Sequence, residues 1–248
     1  MMKHDILSLE ELAMNAHPAL QTYLYDGWAL RFSNGYTSRA NSASTLYPSE
    51  LPFEEKVAFC EQIYTARGLP TLFKLTDASP AGFEAYLSER GYQAISPTHV
   101  FTCNALPGMK IHHDVMITKE IDLRWKEDYF RLNGTNLAMT DTASAMIDNI
   151  LGNVFCAKIT AGGETVACGL CVEERGYAGL FDIIVDPAYR RHGFAHALCG
   201  SLMDAAATIG ARSFYLSVVA QNAPAIALYK KLGFAWCYNY LYMKKELT

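Results

Sequence analysis

Residues 180–198 read LFDIIVDPAYRRHGFAHAL, and no other stretch of the 248-residue chain says as much. An apolar run from Leu180 to Val185 suits a strand and stops at Asp186-Pro187. A basic loop follows, and Gly193 opens an apolar segment with helical spacing. Amides at a helix start have no partner inside the helix, and the aligned peptide dipoles add positive potential there. Gly193 lets the backbone approach a ligand closely, and the small Ala195 keeps the next turn accessible. Arg190, Arg191 and His192 bring charge or donors to the same mouth, and Phe194 and His196 begin the helix. Together these features make a diphosphate-binding site. An exposed basic turn with an ordinary glycine is the competing reading, and the flanking sequence has to decide between them.

Upstream, three alternating runs, 154–159, 165–173 and 177–185, are joined by Gly162-Gly163 and Arg175-Gly176, which predicts an antiparallel meander. Downstream come a helix over 193–209, a strand over 214–219, a helix over 223–232 and a terminal strand from Phe234. A meander leading into strand–helix–strand–helix–strand predicts an α/β (α+β) fold, a mixed sheet with helices on its faces. Within it, residues 221–234 read QNAPAIALYKKLGF.

That run, taken with Arg190-x-x-Gly193-x-Ala195, resembles two motifs of the GCN5-related N-acetyltransferase (GNAT) superfamily, in the right order and spacing over about 114–248. No Walker-type or Gly-x-Gly-x-x-Gly loop competes with it. The resemblance implies acetyl-CoA as co-substrate. Its pyrophosphate would lie on Arg190 through His196, and its pantetheine arm in a slot where the strand bearing Ile183, Ile184 and Val185 splays from 216–219. An amide near Ile184 or Val185 would hold the thioester carbonyl. Asn222 would bond the pantetheine arm, and Tyr229 would protonate the departing thiolate as an amine attacks directly. A packing tyrosine is the plainer reading of Tyr229.

The proton acceptor is the least legible part. Ser217 stands five residues before Asn222, where some relatives carry glutamate. Asp182 is the carboxylate within 177–185, and burial against Phe181 and Ile183 would favour a useful base. The resemblance implies a bulge in that strand, which flips faces and leaves a structural, hydrogen-bonded Asp182 equally open.

The first half shows the same order of parts in eroded form. Gly68, a strand over 70–75, Pro80 and Gly91-Tyr92 parallel Gly210, 214–219, Pro224 and Gly233-Phe234. Before them the chain predicts a helix from Leu9 to Tyr23 with a Ser8-x-x-Glu11 capping box, a strand from Trp28 to Phe32, and a hairpin turn at Asn34-Gly35. A helix from Pro52 starts with Glu54 and Glu55, acids that repel a pyrophosphate. Counting back from Gly91 as from Gly233, Leu87 holds the tyrosine position. Some members of the superfamily are tandem proteins with one inactive half. The expectation is therefore a degenerate GNAT-like domain over 1–105 shaping the acceptor pocket, a linker over 106–113 and a catalytic domain over 114–248. That makes two mixed, mostly antiparallel sheets and one coenzyme site per chain. The polar loop 32–42 suits either an acceptor cleft or a turn-rich hairpin.

Composition bounds the remainder. With 51% hydrophobic residues and 12% aromatics the chain has ample core material, and it lacks an uninterrupted apolar run long enough to span a membrane. A net charge of −4 argues against nucleic acid as the main partner. Seven cysteines, an odd number set in apolar runs, together with an amino terminus unlike a secretory signal, point to reduced thiols in a cytoplasmic protein. Cys168 and Cys171 lie on a predicted strand, where they point to opposite faces, and His112-His113 reads as a solvated junction, so no metal is expected. The acceptor expected is a small-molecule amine. A peptide amino terminus and a non-catalytic acyl-CoA sensor are the alternatives. Monomer and homodimer both fit, since Trp236–Met243 suits either a dimer edge or core.

Overall fold

Chain order and spatial order part company at the last strand of each half. The computed structural model describes residues 3–104 and 113–247, which form two units: one up to His99 together with Cys237 onward, and one from Val100 to Trp236.

In the first unit, α1 (Lys3–Ala16) buries Ile6, Leu9, Leu12 and Ala16 at helical spacing. The helix encloses Ser8 rather than starting after it, so the capping box is not used. It also stops short of Tyr23, because Pro18 forces the residue before it out of the helical region. The residues beyond form β1 (Gln21–Tyr25), paired antiparallel with β2 (Trp28–Phe32) around a tight turn at Asp26-Gly27. Asn34-Gly35 turns the chain as expected, but within a longer loop that leads to β3 (Ala43–Thr45), antiparallel to β2. Then come α2 (Phe53–Thr65), β4 (Thr71–Thr76), α3 (Phe83–Ser88) and β5 (Gln93–Cys103). β3 and β4 run parallel, with Ala43 opposite Phe73. Alternation along β2 sends Trp28, Leu30 and Phe32 into a core with Val57, Cys60, Tyr64, Phe73, Phe83 and Leu87.

In the second unit, β6 (Met116–Thr118) leads to α4 (Leu123–Asn133), whose amino end is capped by Asp122 accepting from the Trp125 amide at 2.6 Å. α5 (Thr140–Asp148) precedes the expected meander, β7 (Asn153–Ala161), β8 (Glu164–Glu174) and β9 (Tyr177–Val185). α6 (Phe194–Ala207), β10 (Ser213–Val219), α7 (Ala223–Lys231) and β11 (Ala235–Lys245) complete the chain. Strand order is β1-β2-β3-β4-β11-β5 in the first unit and β5-β10-β9-β8-β7-β6 in the second. Helices flank mixed, mostly antiparallel strands, as the α+β reading expects.

The linear division at 105 and 114 is not the one the contacts give. β11 pairs antiparallel with β4, from Tyr240–Thr76 to Lys245–Thr71, and sends Met243 into the first core. On its other face the Tyr238 hydroxyl donates to Glu10 at 2.7 Å. Conversely Phe101 and Cys103, at the end of β5, belong to the second core. Alternation in β11 buries Tyr238, Tyr240 and Tyr242 on one face and Met243 on the other, which makes half of Trp236–Met243 core of the first unit. The break at 105–110 and the 106–113 linker, His113 excepted, lie outside the described residues.

Candidate active site

β9 and β10 are parallel and paired only from Tyr177–Ser213 to Gly179–Tyr215. Six residues of β9 and four of β10 continue beyond the last pair, which is the splay the resemblance implied. The bulge is present as well. Cys168 and Leu170 on β8 face Ile184 and Phe181, so β9 carries an extra residue there, and Asp182 adopts a left-handed φ of +53°. Ile183 packs over Gly169, where a Cβ would press on its side chain.

Past β9, the Asp186 carboxylate accepts from the Ala188 amide at 2.8 Å and fixes a short turn over Pro187–Tyr189. Arg191 is left-handed at φ +70° and Gly193 at φ +84°, which for Gly193 is the conformation that carries no Cβ penalty. α6 has no side-chain cap, and its first bond runs from the Ala197 amide to the Gly193 carbonyl at 3.0 Å. The amides of 193–196 therefore have no intrahelical acceptor. Arg190, Arg191 and His192 are exposed around them, while Phe194, Ala195 and His196 are half-buried. Arg190 turns its Nε back to the Val185 carbonyl at 3.3 Å, and the His192 ring is tied to the Tyr189 carbonyl at 3.2 Å, while Arg190 and Arg191 both stay exposed.

Asn222 caps α7, its Oδ1 accepting from the Ala225 amide at 3.2 Å. Tyr229 is half-buried with its ring edge-on to Phe234 at 6.2 Å. Burial, with Cys199 close by, raises its phenol well above the ordinary tyrosine range, so it holds its proton at any working pH. Ser217 is half-buried on β10. Asp182 is half-buried, and its Oδ1 accepts from the Tyr129 hydroxyl of α4 at 3.1 Å.

Two residues at this site escaped the sequence reading. His113 is no solvated junction: its Nε2 bonds the His192 carbonyl at 2.7 Å and its ring stands edge-on to Phe194 at 4.8 Å, bracing the loop. Tyr129 is the other. Neither contact leaves a local signal, since 79 and 53 residues separate the partners. Cys168 and Cys171 are both buried, and burial pushes the Cys168 thiol up to about 12, which removes thiolate chemistry. No cluster of three metal-ligating side chains occurs among the described residues, and no helix of the described residues is long and apolar enough to cross a membrane.

Residues 4–243 match the family described as "Probable histone acetyltransferase Rv0428c C-terminal". Over 236 residues the chain is 26% identical to the uncharacterized N-acetyltransferase YobR of Bacillus subtilis strain 168, covering 93% of this chain and 95% of that one. A shorter match, 40% identical over 77 residues, is to the ribosomal protein bS18 alanine N-acetyltransferase of Escherichia coli strain K12, covering 31% of this chain and 52% of that one. The fold is that of a GCN5-related N-acetyltransferase from Kribbella flavida, with a TM-score of 0.70 at 13% identity, covering all of this chain and 96% of that one.

Proposed function

The chain belongs to the family described as "Probable histone acetyltransferase Rv0428c C-terminal", within the GNAT superfamily of acyltransferases, and on that premise we propose that it moves an acetyl group from acetyl-CoA to a primary amine at the second unit. One observation carries this reading: the uncapped amino end of α6, opened by a left-handed Gly193 and flanked by Arg191, beside two parallel strands whose pairing stops at Gly179. Unpaired amides, a dipole and an outward cation suit a diphosphate. The splayed edge of β9 presents strand amides to an extended pantetheine arm, and the Asn222 Nδ2 hydrogens suit one of its carbonyls.

Acetyl-CoA supplies the acetyl thioester and a thiolate leaving group. The amide of Ile184 or Val185 stabilises the oxygen on which charge develops. Asp182 takes the proton of the attacking amine, and Tyr229 gives its proton to the leaving sulfur. Solvent resets both, so the protons balance over a turnover. A half-buried carboxylate bonded by the Tyr129 hydroxyl suits a compact ammonium group, hence a small-molecule amine as the first acceptor. A peptide amino terminus is the second reading, favoured by the partial match to the alanine acetyltransferase.

The experiment is calorimetric titration with CoA and acetyl-CoA of the wild type and of Gly193→Leu. Micromolar binding at one site per chain, lost in the variant, is the expected result, and absence of binding at millimolar ligand overturns the reading. Thiol release with a panel of small primary amines beside an alanine-led peptide then separates the two acceptor classes.

A further inference from the structure

In the first unit, the sheet face turned away from the aromatic core is polar and charged although it is covered. The alternation that sends Trp28, Leu30 and Phe32 of β2 into the core turns Arg31 to the other face, and the same alternation around Met243 turns Tyr242 there. Ser42, just ahead of β3, stands opposite Arg31, whose amide donates to the Ser42 carbonyl at 3.2 Å. One rung along, Ser44, Lys74 and Tyr242 are in register across β3, β4 and β11. α1 lies over this face. Its Glu10 accepts from Lys74 at 2.6 Å and from the Tyr238 hydroxyl at 2.7 Å, and the Arg31 guanidinium donates to the carbonyls of Met14, His17 and Arg39.

Three polar atoms on this face have no hydrogen-bond partner among the described residues: Arg31 Nε, Ser42 Oγ and Tyr242 Oη, in residues only 3%, 0% and 3% exposed. We propose that they hold a buried anion of halide size, which pins α1 to the sheet of the first unit.

Charge decides what fits there. The Nε of a guanidinium only donates, so its partner must accept, and either hydroxyl can donate to that same partner. Glu10 has Lys74 and Tyr238 on its two oxygens and acts on Arg31 from beyond bonding distance. Arg31 itself bonds main-chain carbonyls alone, and no carboxylate pairs with it among the described residues. A water would fill the geometry and leave the guanidinium uncompensated. An anion accepts from all three donors and balances a buried cation that is otherwise costly. The three groups keep the states this needs. Burial lowers the Arg31 guanidinium to about 10, so it is still charged at neutral pH, and burial raises the Tyr242 phenol, so it keeps a proton to donate. Burial also lowers the His17 imidazole, and Arg39, Arg31 and Lys74 lower it further, which marks a positive potential around the spot. Short side chains at Ala29, Ser42 and Ser44 leave room above the strands, and near-complete burial of the donors suits a single-atom anion over a metabolite.

The test is urea unfolding of the full chain at constant ionic strength, with gluconate replaced stepwise by chloride. An ion bound by the folded state alone raises the folded-to-unfolded ratio about tenfold for each tenfold rise in chloride above its dissociation constant. The wild type should show that rise, with bromide able to replace chloride. Tyr242→Phe keeps the ring and removes one donor, and Ser42→Ala removes another. Each should shift the onset of the response to about tenfold higher chloride, the loss expected for one hydrogen bond. Crystals grown in bromide should show an anomalous peak within bonding reach of the three atoms. A midpoint independent of chloride overturns the proposal and leaves the three atoms to water. A bromide peak without a chloride-dependent midpoint is an adventitious ion only, and overturns it too. So does a response unchanged in both variants, since that puts the ion elsewhere. If the variants fail to fold, the wild-type response and the bromide peak still decide. All these readouts concern stability, so they stand apart from turnover and from acetyl-CoA binding in the second unit.

Discussion

Each unit contains a crossover from one parallel strand to the next, β3–α2–β4 in the first and β9–α6–β10 in the second, and they spend their backbone amides differently. In the first, the Asp26 carboxylate accepts from the amides of Glu50 at 3.1 Å and Leu51 at 2.9 Å, just ahead of α2. The Tyr47 amide donates to the Gly27 carbonyl at 2.9 Å, Lys56 pairs with Asp26 at 3.0 Å, and Glu54 and Glu55 occupy the first turn. In the second, α6 has no side-chain cap among the described residues, and the neighbouring Arg191 is exposed. The later parts still correspond bond for bond. The Tyr92 amide bonds the Leu87 carbonyl at 3.2 Å and the Phe234 amide bonds the Tyr229 carbonyl at 3.0 Å, each one residue past a left-handed glycine. A crossover therefore keeps its fold whether the amides ahead of its helix are bonded by a carboxylate of the chain or the helix start has no side-chain cap. On the proposed function, what distinguishes the two loops is whether the protein's own carboxylate stands where a ligand would.

The largest way to break this comparison is Gly193→Leu. The left-handed φ of +84° and the His113 ring 3.3 Å from where a Cβ would stand both oppose a side chain. The branched leucine would also cover the amides proposed to hold the diphosphate. Coenzyme affinity should fall by about 1,000-fold, as expected when a whole charge-assisted contact set is lost, while the far-ultraviolet circular dichroism stays unchanged. Affinity within tenfold of the wild type would mean that the α6 loop is as idle as the α2 loop.

The mirror change in the first unit is Gly27→Val, with an effect on stability instead of binding. Gly27 has φ +77°, and a Cβ there would run into the carbonyl oxygens of Pro48 and Tyr47. Strain plus collision with backbone should cost about 3 kcal/mol or more, read as a lower denaturant midpoint. The folded fraction should bind CoA as the wild type does. A variant with unchanged stability would show that the α2 loop is not locked by its own backbone.

How much of this was legible depended on how far apart the partners lie in the chain. Periodicity and turn residues located the meander, α6, β10 and α7, because those signals are local, and the glycine spacing aligned Leu87 with Tyr229. Local reading went wrong where a neighbour intervened: Pro18 ended α1 early, and the hairpin turn fell at Asp26-Gly27. The placement of β11 beside β4 was invisible, since an alternating strand pairs equally well in either half until its partners are known. The same holds for His113 and Tyr129, whose roles arise from partners met only in the folded chain. Asp26 was read simply as a chain break, because the amides that donate to it sit 24 and 25 residues on.

Tyr229→Phe sharpens the comparison at its second difference. Leu87, the backbone counterpart, is wholly buried in the first core and has no proton to give, whereas Tyr229 keeps its own through burial. If the phenol protonates the leaving sulfur, the variant should lose about 10- to 100-fold in kcat with CoA affinity intact. A packing tyrosine would leave kcat alone. Thiol-release kinetics beside calorimetry separate the two, and an unchanged kcat would make position 229 no more catalytic than position 87.

The smallest expected effect concerns the carboxylate that closes the first loop. Hydrogen bonds from the Glu50 and Leu51 amides, with Lys56, hold Asp26 below the ordinary carboxylate range. A carboxyl whose pKa is lowered by folding stabilises the native state in full above its unfolded value near 3.9. That contribution disappears as pH falls through the lower folded value. Asp26→Asn keeps an acceptor for the amides but removes the charge facing Lys56 and α2. Its denaturant midpoint should lie modestly below that of the wild type at pH 7, and the gap should close only below about pH 4. A gap of constant size down to pH 3 would assign the effect to shape instead of charge. The first loop would then be closed by geometry alone, without a carboxylate standing where the second loop is proposed to take a phosphate.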